Sequence, residues 1–330
     1  MLTDVWPFVE EQRHHGRDVV LARLVGRDGP GSRPLGATMA VTRNGSWRGS
    51  LSGGCVEGIV LRAATDVLEG REPHLMTVVV GDDLMPWEEA PACGGELQVL
   101  LTPAPGGRAY DAITQALHAN EPLAVRVGLT APFGWDTAPE ASRLTAPGGF
   151  VEQLPTRPRL LLVGATDLAA ELAALAGPLR FEVVVIDPRQ AFVDSGALPA
   201  GTRTVLGWPD RWLAENPPRP DDAVVVLTHD PRIDDRGIRA ALAGGAGYVA
   251  ALGSRATHAQ RMRRLGHLPG IGRLCGPAGL DLGGQSPAET ALSILAEVVA
   301  ARHGRAGGPL RTGDLPIRPP RGPVRVPSQN

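Results

Sequence analysis

The fold of this chain is decided by the stretch Leu160-Leu161-Leu162-Val163-Gly164-Ala165-Thr166-Asp167, an apolar run that ends at a glycine and leads into a helical pattern. Similar apolar runs follow at residues 181–186, 223–227 and 248–252, with helical patterns between them. Strands that alternate with helices are typical of a parallel sheet covered by helices on both faces. The second half of the chain is therefore predicted to be α/β, with a doubly wound parallel sheet.

Polar residues follow these strands, at the edge of the sheet where ligands bind in such folds. They are Asp187, His229 between a threonine and an aspartate, and the sequence Gly253-Ser254-Arg255. Parallel strands commonly end in polar turns, so part of this clustering is expected of any such sheet. His229 and Arg255 nevertheless have the chemistry of a base and a phosphate ligand.

The turn after the first strand departs from the fingerprint of a dinucleotide-binding fold. Gly164 fills the first glycine position, but Thr166 stands at the second, and Asp167 follows it. A β-branched residue crowds the approach of a pyrophosphate, and a carboxylate beside it repels the phosphates. Asp187 lies about 20 residues further on, where a ribose-binding carboxylate belongs. The fingerprint supports the Rossmann-like fold and argues against a bound nucleotide.

In the first half of the chain, two glycine-rich stretches flank a hairpin within residues 29–58. Asn44-Gly45 between alternating residues predicts a two-residue hairpin turn. The sequence Ser52-Gly53-Gly54-Cys55 then precedes an amphipathic helical pattern that starts at Val56. Amides before a helix favour an anion, and the same field favours a cysteine thiolate. A cradle for an anionic or metal-containing cofactor is one interpretation, and a tight turn before a buried structural cysteine is the other.

A second cysteine beside paired glycines occurs in Cys93-Gly94-Gly95. If Cys55 and Cys93 approach each other, they could bind one soft ion or handle sulfur together, which their spacing alone does not establish. The chain has 3 cysteines, an odd and sparse set that argues against a disulfide framework.

The length of 330 residues suggests about two domains. The segment 155–158, with two prolines, is the predicted boundary. We expect a smaller α+β domain over residues 1–155, the doubly wound domain over 156–303, and a disordered tail rich in Pro, Gly and Arg over 304–330.

The net charge of −2 gives no electrostatic reason to expect nucleic acid or an anionic membrane as a partner. Every one of the 33 basic residues is arginine, which excludes a Schiff-base lysine and a Walker-type phosphate loop. No apolar run approaches the roughly 18 residues of a membrane span, and the first residues do not resemble a signal peptide. We expect a cytoplasmic protein.

Several segments resemble, in order, those of the XdhC/CoxI family of maturation factors for molybdenum hydroxylases. They cover most of residues 20–303. The matching segments are Gly31-Ser32-Arg33-Pro34-Leu35-Gly36-Ala37, Ser50-Leu51-Ser52-Gly53-Gly54-Cys55-Val56-Glu57, Cys93-Gly94-Gly95, Thr228-His229-Asp230, Tyr248-Val249-Ala250-Ala251-Leu252-Gly253-Ser254-Arg255, Gly276-Pro277-Ala278-Gly279-Leu280-Asp281-Leu282-Gly283 and Ala291-Leu292-Ser293-Ile294-Leu295-Ala296-Glu297.

The resemblance implies a small N-terminal domain, a Rossmann domain and a role in binding molybdenum cofactor (molybdopterin). It also implies support of the cofactor's sulfuration with a cysteine desulfurase, delivery to an apo molybdenum hydroxylase of the xanthine dehydrogenase type, and a homodimer. The chain would then be a binding and insertion factor more than a catalyst.

The resemblance also implies site residues. Cys55 would hold molybdenum or a transferred sulfur, with Cys93 as a second ligand. Anionic oxygens would be held by Arg33 and the amides of Ser52, Gly53 and Gly54. The other cofactor-binding candidates are Glu57, Gly94, Gly164, Asp187, His229, Gly253, Ser254, Arg255 and Asp281. The family has Gly-Ala-Gly-His where this chain has Gly164-Ala165-Thr166-Asp167, and this departure again disfavours a nucleotide.

Two other functions stay open from the residues. One is a nicotinamide-dependent oxidoreductase that uses the Rossmann domain, against which Thr166 and Asp167 argue. The other is an interaction scaffold without a ligand, in which Cys55 and Cys93 are merely packed.

Overall fold

The computed structural model describes residues 1–28, 33–79, 95–144 and 148–313. The chain divides into two units, the first comprising Met1–Thr156 and the second beginning at Arg157. Each unit has its own hydrophobic cores.

The first unit mixes helices with antiparallel strands. Its described elements are α1 (Leu2–His14), β1 (Val19–Asp28), β2 (Thr38–Thr42), β3 (Trp47–Gly49), α2 (Glu57–Leu68), β4 (His74–Val79), β5 (Glu96–Pro103), α3 (Gly107–Ala119), β6 (Leu123–Gly128), β7 (Trp135–Ala138) and β8 (Gly149–Leu154). Five strands form one sheet in the order β3-β2-β1-β5-β4, and three form another in the order β7-β6-β8. A smaller α+β unit therefore precedes the parallel sheet, as predicted.

Helix α2 packs on the five-stranded sheet through the apolar face that its sequence predicts. Val60, Ala64 and Val67 are buried in one cluster with side chains of β1, β2 and β5. This packing fixes the helix, and with it the position of the cysteine-containing loop that enters it.

The predicted hairpin at Asn44 is present, but its turn is longer than two residues. Residues 43–46 separate β2 from β3, and the side-chain oxygen of Asn44 accepts hydrogen bonds from Thr42 Oγ1 and the Ser46 N–H at 2.5 and 3.2 Å. These local bonds stabilise the wider turn, and Gly45 supplies its left-handed residue with φ of +78°.

The second unit is the predicted doubly wound α/β domain. Its elements are β9 (Arg159–Val163), α4 (Asp167–Ala176), β10 (Glu182–Asp187), α5 (Gln190–Val193), β11 (Arg203–Leu206), α6 (Pro209–Glu215), β12 (Ala223–Val226), α7 (Pro231–Gly244), β13 (Tyr248–Ala251), α8 (Arg255–Leu265), β14 (Leu274–Cys275) and α9 (Pro287–Arg302). All six strands are parallel, in the order β11-β10-β9-β12-β13-β14.

Both faces of this sheet are buried, which explains why its strands read as continuous apolar runs. In β9, Leu160 and Leu162 pack with α4 and α9, whereas Leu161 and Val163 pack with α6, α7 and α8. The strand order reverses between β9 and β12. The loops that follow these two strands therefore border the crevice where doubly wound folds bind ligands.

The tail predicted to be disordered begins at residue 304, and the structure describes it as far as residue 313. A single turn of 3-10 helix, Leu310–Thr312, lies in this part. Residues 314–330 lie outside the described residues. Among the described helices, none has the length and apolar character needed to cross a membrane.

Candidate functional site

Cys55 lies in a tight loop between β3 and α2, and its side chain is exposed. Gly53 and Gly54 precede it with φ of +95° and +132°, values that residues with a side chain rarely adopt. The added Cβ at Gly54 would meet no atom within 4 Å, so the requirement for glycine there is conformational. Because Cys55 is exposed, the interpretation as a buried structural cysteine is wrong.

The loop folds around the carboxylate of Glu57, the first residue of α2. Donors to Oε1 are the N–H groups of Leu51 (3.0 Å), Ser52 (3.0 Å) and Gly53 (3.1 Å) and the hydroxyl of Ser50 (2.7 Å). Donors to Oε2 are the N–H groups of Gly54 (2.8 Å) and Val56 (3.2 Å) and the hydroxyl of Ser52 (2.6 Å). Turns that place successive N–H groups around one point form nests for anions. Here the anion belongs to the chain itself.

These contacts keep Glu57 ionised. Burial raises the pKa of Glu57, but hydrogen bonds from Ser52, Ser50 and Gly53 outweigh it and hold that pKa well below its ordinary value. Glu57 and the amides of Ser52, Gly53 and Gly54 were predicted to bind a cofactor. In the structure these amides donate to the Glu57 carboxylate instead.

The remaining candidates of the first unit are only partly described. Arg33 is exposed, and its backbone carbonyl accepts a hydrogen bond from Arg27 at 3.2 Å. Cys93 and Gly94 lie outside the described residues. The approach of Cys93 to Cys55 therefore stays a prediction.

In the second unit, a cavity of about 410 Å³ lies at the carboxyl edge of the sheet. Its lining residues are Leu168, His229, Leu252, Gly253, Ser254, Gln285, Pro287 and Thr290. Three of the residues predicted from the sequence, His229, Gly253 and Ser254, thus border one space. Sequence reasoning missed Gln285, which lies just before α9, and Thr290, which lies in the first turn of that helix.

Two loops that border this cavity have defined backbone conformations. His229 has φ of +59°, and Ser254 caps α8 by accepting the Thr257 N–H at 3.1 Å. Arg255 follows as the first residue of α8 and is exposed. Asp281 is also exposed, and it does not line the cavity.

Asp187 is fully buried and fully engaged, contrary to its predicted role as a ligand for a ribose. Its carboxylate accepts the Ala165 N–H at 2.9 Å and the Nε and Nη2 groups of Arg189 at 2.9 and 2.7 Å. Burial raises the pKa of Asp187, but hydrogen bonds from Arg189 and Ala165 outweigh it and hold the pKa below its ordinary value. Asp187 thus fixes the glycine turn after β9, and Gly164 adopts φ of +117° there.

The third cysteine has a different environment from that of Cys55. Burial and, next, the charge of Glu297 raise the pKa of the Cys275 thiol, which favours its unreactive protonated form. Glu297 accepts the Tyr248 hydroxyl at 2.5 Å and the Gly279 N–H at 2.7 Å. The second of these bonds ties the Gly-Pro-Ala-Gly loop to α9. Among the described residues, no group of three or more His, Cys, Asp and Glu side chains is arranged to hold a metal ion.

Comparisons with known proteins agree in both units. The XdhC Rossmann domain model matches residues 160–298, and the XdhC and CoxI family model matches residues 12–79. A Bacillus subtilis protein that is named as a probable xanthine dehydrogenase subunit is 28% identical over 311 residues, which cover 86% of this chain and 93% of that protein.

The molybdenum cofactor insertion chaperone PaoD of Escherichia coli is 27% identical over 312 residues, covering 89% of this chain and 87% of that protein. The crystal structure of a Bacillus halodurans xanthine dehydrogenase superposes with a TM-score of 0.77 at 23% identity, over 93% of this chain and 97% of that one, and supports the fold. With a family model matched in each of its two units, this chain belongs to the XdhC and CoxI family.

Proposed function

We propose that this chain is a maturation factor that binds molybdenum cofactor and delivers it to an apo molybdenum hydroxylase of the xanthine dehydrogenase type. The names of two relatives support the proposal: one is a molybdenum cofactor insertion chaperone and the other is a probable part of a xanthine dehydrogenase. Both align over more than four fifths of this chain. The cytoplasm, where such hydroxylases would be assembled, is the proposed location.

The observation that carries the proposal is the exposed thiol of Cys55 on a loop fixed by hydrogen bonds. A thiolate is a soft ligand that suits molybdenum and can also carry sulfur. Cys275, whose thiol has a raised pKa, is the poorer candidate for either role. We assign Cys55 to the metal end of the cofactor, with Cys93 as the proposed second ligand.

Positive charge for the anionic parts of the cargo comes from arginine, because the chain has no lysine. Arg33 is exposed in the segment before β2, and its planar guanidinium can bind phosphate with two parallel hydrogen bonds. Since the loop amides already bind Glu57, we assign phosphate recognition in the first unit to Arg33 rather than to those amides.

The second unit has candidate residues of its own. The cavity bordered by His229, Gly253 and Ser254, with Arg255 close by in sequence, is proposed to bind a phosphate-bearing molecule, the chemistry that the side chain of a pterin cofactor carries. Asp187 is left out of this assignment because Arg189 and Ala165 occupy its carboxylate. Sulfuration with a cysteine desulfurase and a homodimeric assembly complete the proposal.

The test is an anaerobic titration of the purified protein with molybdenum cofactor, followed by gel filtration and measurement of the molybdenum retained. Wild type is expected to retain molybdenum, Cys55→Ala to lose most of it, and Cys275→Ala to behave as wild type. Cys275 is the matched control because it is a cysteine of the same chain in a different environment. Equal retention by wild type and Cys55→Ala would remove Cys55 from the site, and no retention by wild type would contradict the function.

A further inference from the structure

We propose that Glu57 positions Cys55: its carboxylate gathers the loop of residues 50–56 and holds the thiol at the surface in a fixed orientation. The importance of this role rests on the proposed function of Cys55, whereas the role itself is tested below without cofactor. Glu57 is a positioning residue in this proposal and touches no ligand.

The first argument is the number of donors on one carboxylate. Five backbone N–H groups and two hydroxyls donate to Glu57. An ionised carboxylate offers about four lone-pair directions, so these donors saturate it. No acceptor capacity is left for a metal or a substrate while this arrangement persists.

The second argument is where these donors lie relative to Cys55. Gly54 and Val56, the residues immediately before and after Cys55, both donate to Oε2, at 2.8 and 3.2 Å. The two peptide units that flank the cysteine are therefore tied to one oxygen atom. This fixes the direction in which the Cys55 side chain leaves the backbone.

The third argument is the contrast in exposure. Glu57 is only 7% exposed, whereas Cys55 is exposed. A buried carboxylate with fewer partners would be costly, but charge-assisted hydrogen bonds compensate it here. The buried carboxylate and the exposed thiol thus belong to one folded loop. The Cys55 side chain is already oriented before a ligand binds, which lowers the entropic cost of binding.

The decisive experiment compares wild type, Glu57→Gln and Glu69→Gln. Glu69 is an exposed carboxylate directly after α2, so its replacement is the matched control. Hydrogen exchange of the peptide that covers residues 50–58 is measured by mass spectrometry. Glu57→Gln is expected to accelerate exchange about tenfold or more, because the amide presents an N–H₂ to groups that are themselves donors.

The second readout is the rate of Cys55 alkylation by iodoacetamide at one fixed pH, resolved by peptide mass. In Glu57→Gln, this rate is expected to change by about twofold or more, because the loop no longer holds the thiol in one orientation. Alkylation of Cys275 in the same variant is expected to keep its wild-type rate, which a general loss of stability would alter. Glu69→Gln is expected to leave both readouts unchanged. If exchange and the alkylation rate of Cys55 in Glu57→Gln both match wild type, the proposal is overturned.

A milder variant covers the case in which Glu57→Gln does not fold. Ser50→Ala removes one donor to Oε1 and the acceptor of the Gly53 N–H but keeps the carboxylate, so exchange of the loop should rise about threefold. Unchanged exchange in Ser50→Ala would then overturn the proposal. Neither readout uses molybdenum, so equal molybdenum retention in Cys55→Ala would defeat the proposed function while the positioning role of Glu57 stood.

Discussion

Asp187 and Arg189 form a two-pronged ion pair at the carboxyl end of β10, with Nε 2.9 Å from Oδ1 and Nη2 2.7 Å from Oδ2. The carboxylate is fully buried and also accepts the Ala165 N–H at 2.9 Å. The acceptor that a dinucleotide-binding fold uses for a ribose is therefore engaged within the protein.

We predict that the chain does not bind nicotinamide dinucleotides in a saturable way. Besides the engaged Asp187, Asp167 lies in the first turn of α4, where it repels a pyrophosphate. Titration with NADH and NADPH, followed by protein fluorescence and calorimetry, is the measurement. Saturable binding at micromolar concentration would favour the oxidoreductase interpretation instead.

The same ion pair predicts a dependence of stability on pH. Because the pKa of Asp187 is held below its ordinary value in the folded state, its contribution is present above about pH 4 and is lost as the pH falls through the folded-state pKa. Asp187→Asn should cost about 1.5–3 kcal/mol near neutral pH, and the difference from wild type should shrink on acidification.

Urea unfolding between about pH 7 and pH 3 measures this difference. The exposed Asp167→Asn serves as the control, with a difference expected within about 0.5 kcal/mol at every pH. A penalty for Asp187→Asn that persists unchanged at acid pH would contradict the assignment.

Arg23 and Glu152 are both buried and form an ion pair between β1 and β8. The guanidinium also lies over the rings of Trp135 and Phe150, with its central carbon 5.4 and 5.2 Å from their centroids. Glu152→Gln is predicted to destabilise the protein by about 3–5 kcal/mol, since it leaves a buried charge without its partner.

The double variant Arg23→Met with Glu152→Leu should recover most of this loss, because it removes both charges and keeps apolar volume. Free energies of unfolding from urea titrations measure both effects. If the double variant is less stable than Glu152→Gln, the attraction within the ion pair exceeds the cost of burying its two charges, and the pair is a net source of stability.

The sequence was sufficient to predict the parallel sheet because both of its faces are buried. Apolar runs such as residues 160–163 followed by glycine report that environment directly. It also predicted that His229, Gly253 and Ser254 gather at one edge, because the carboxyl ends of parallel strands meet there.

The partners of Glu57 and Asp187 could not be predicted in the same way. A carboxylate beside glycines and arginines has the same pattern whether it faces a ligand or closes a loop on itself. The outcome depends on φ angles such as that of Gly54 and on the burial of the side chain, which spacing does not report. The length of the turn at Asn44 was missed for a related reason, as side-chain bonds to the backbone decided it.

The glycine after β9 gives the last prediction. Gly164 has φ of +117°, and a Cβ there would lie 2.7 Å from Thr228 Cγ2. Gly164→Ala is therefore expected to destabilise the protein by about 1–3 kcal/mol, through backbone strain and a steric clash with a residue just after β12.

Gly177 ends α4 with right-handed φ and ψ of −56° and −55°, and its added Cβ would come no closer than 3.9 Å to Ala174 O. Gly177→Ala, the matched control, should be neutral or stabilising by up to about 1 kcal/mol. Thermal unfolding of both variants is the measurement: equal shifts in the unfolding temperature would show that the turn after β9 accepts a side chain at position 164.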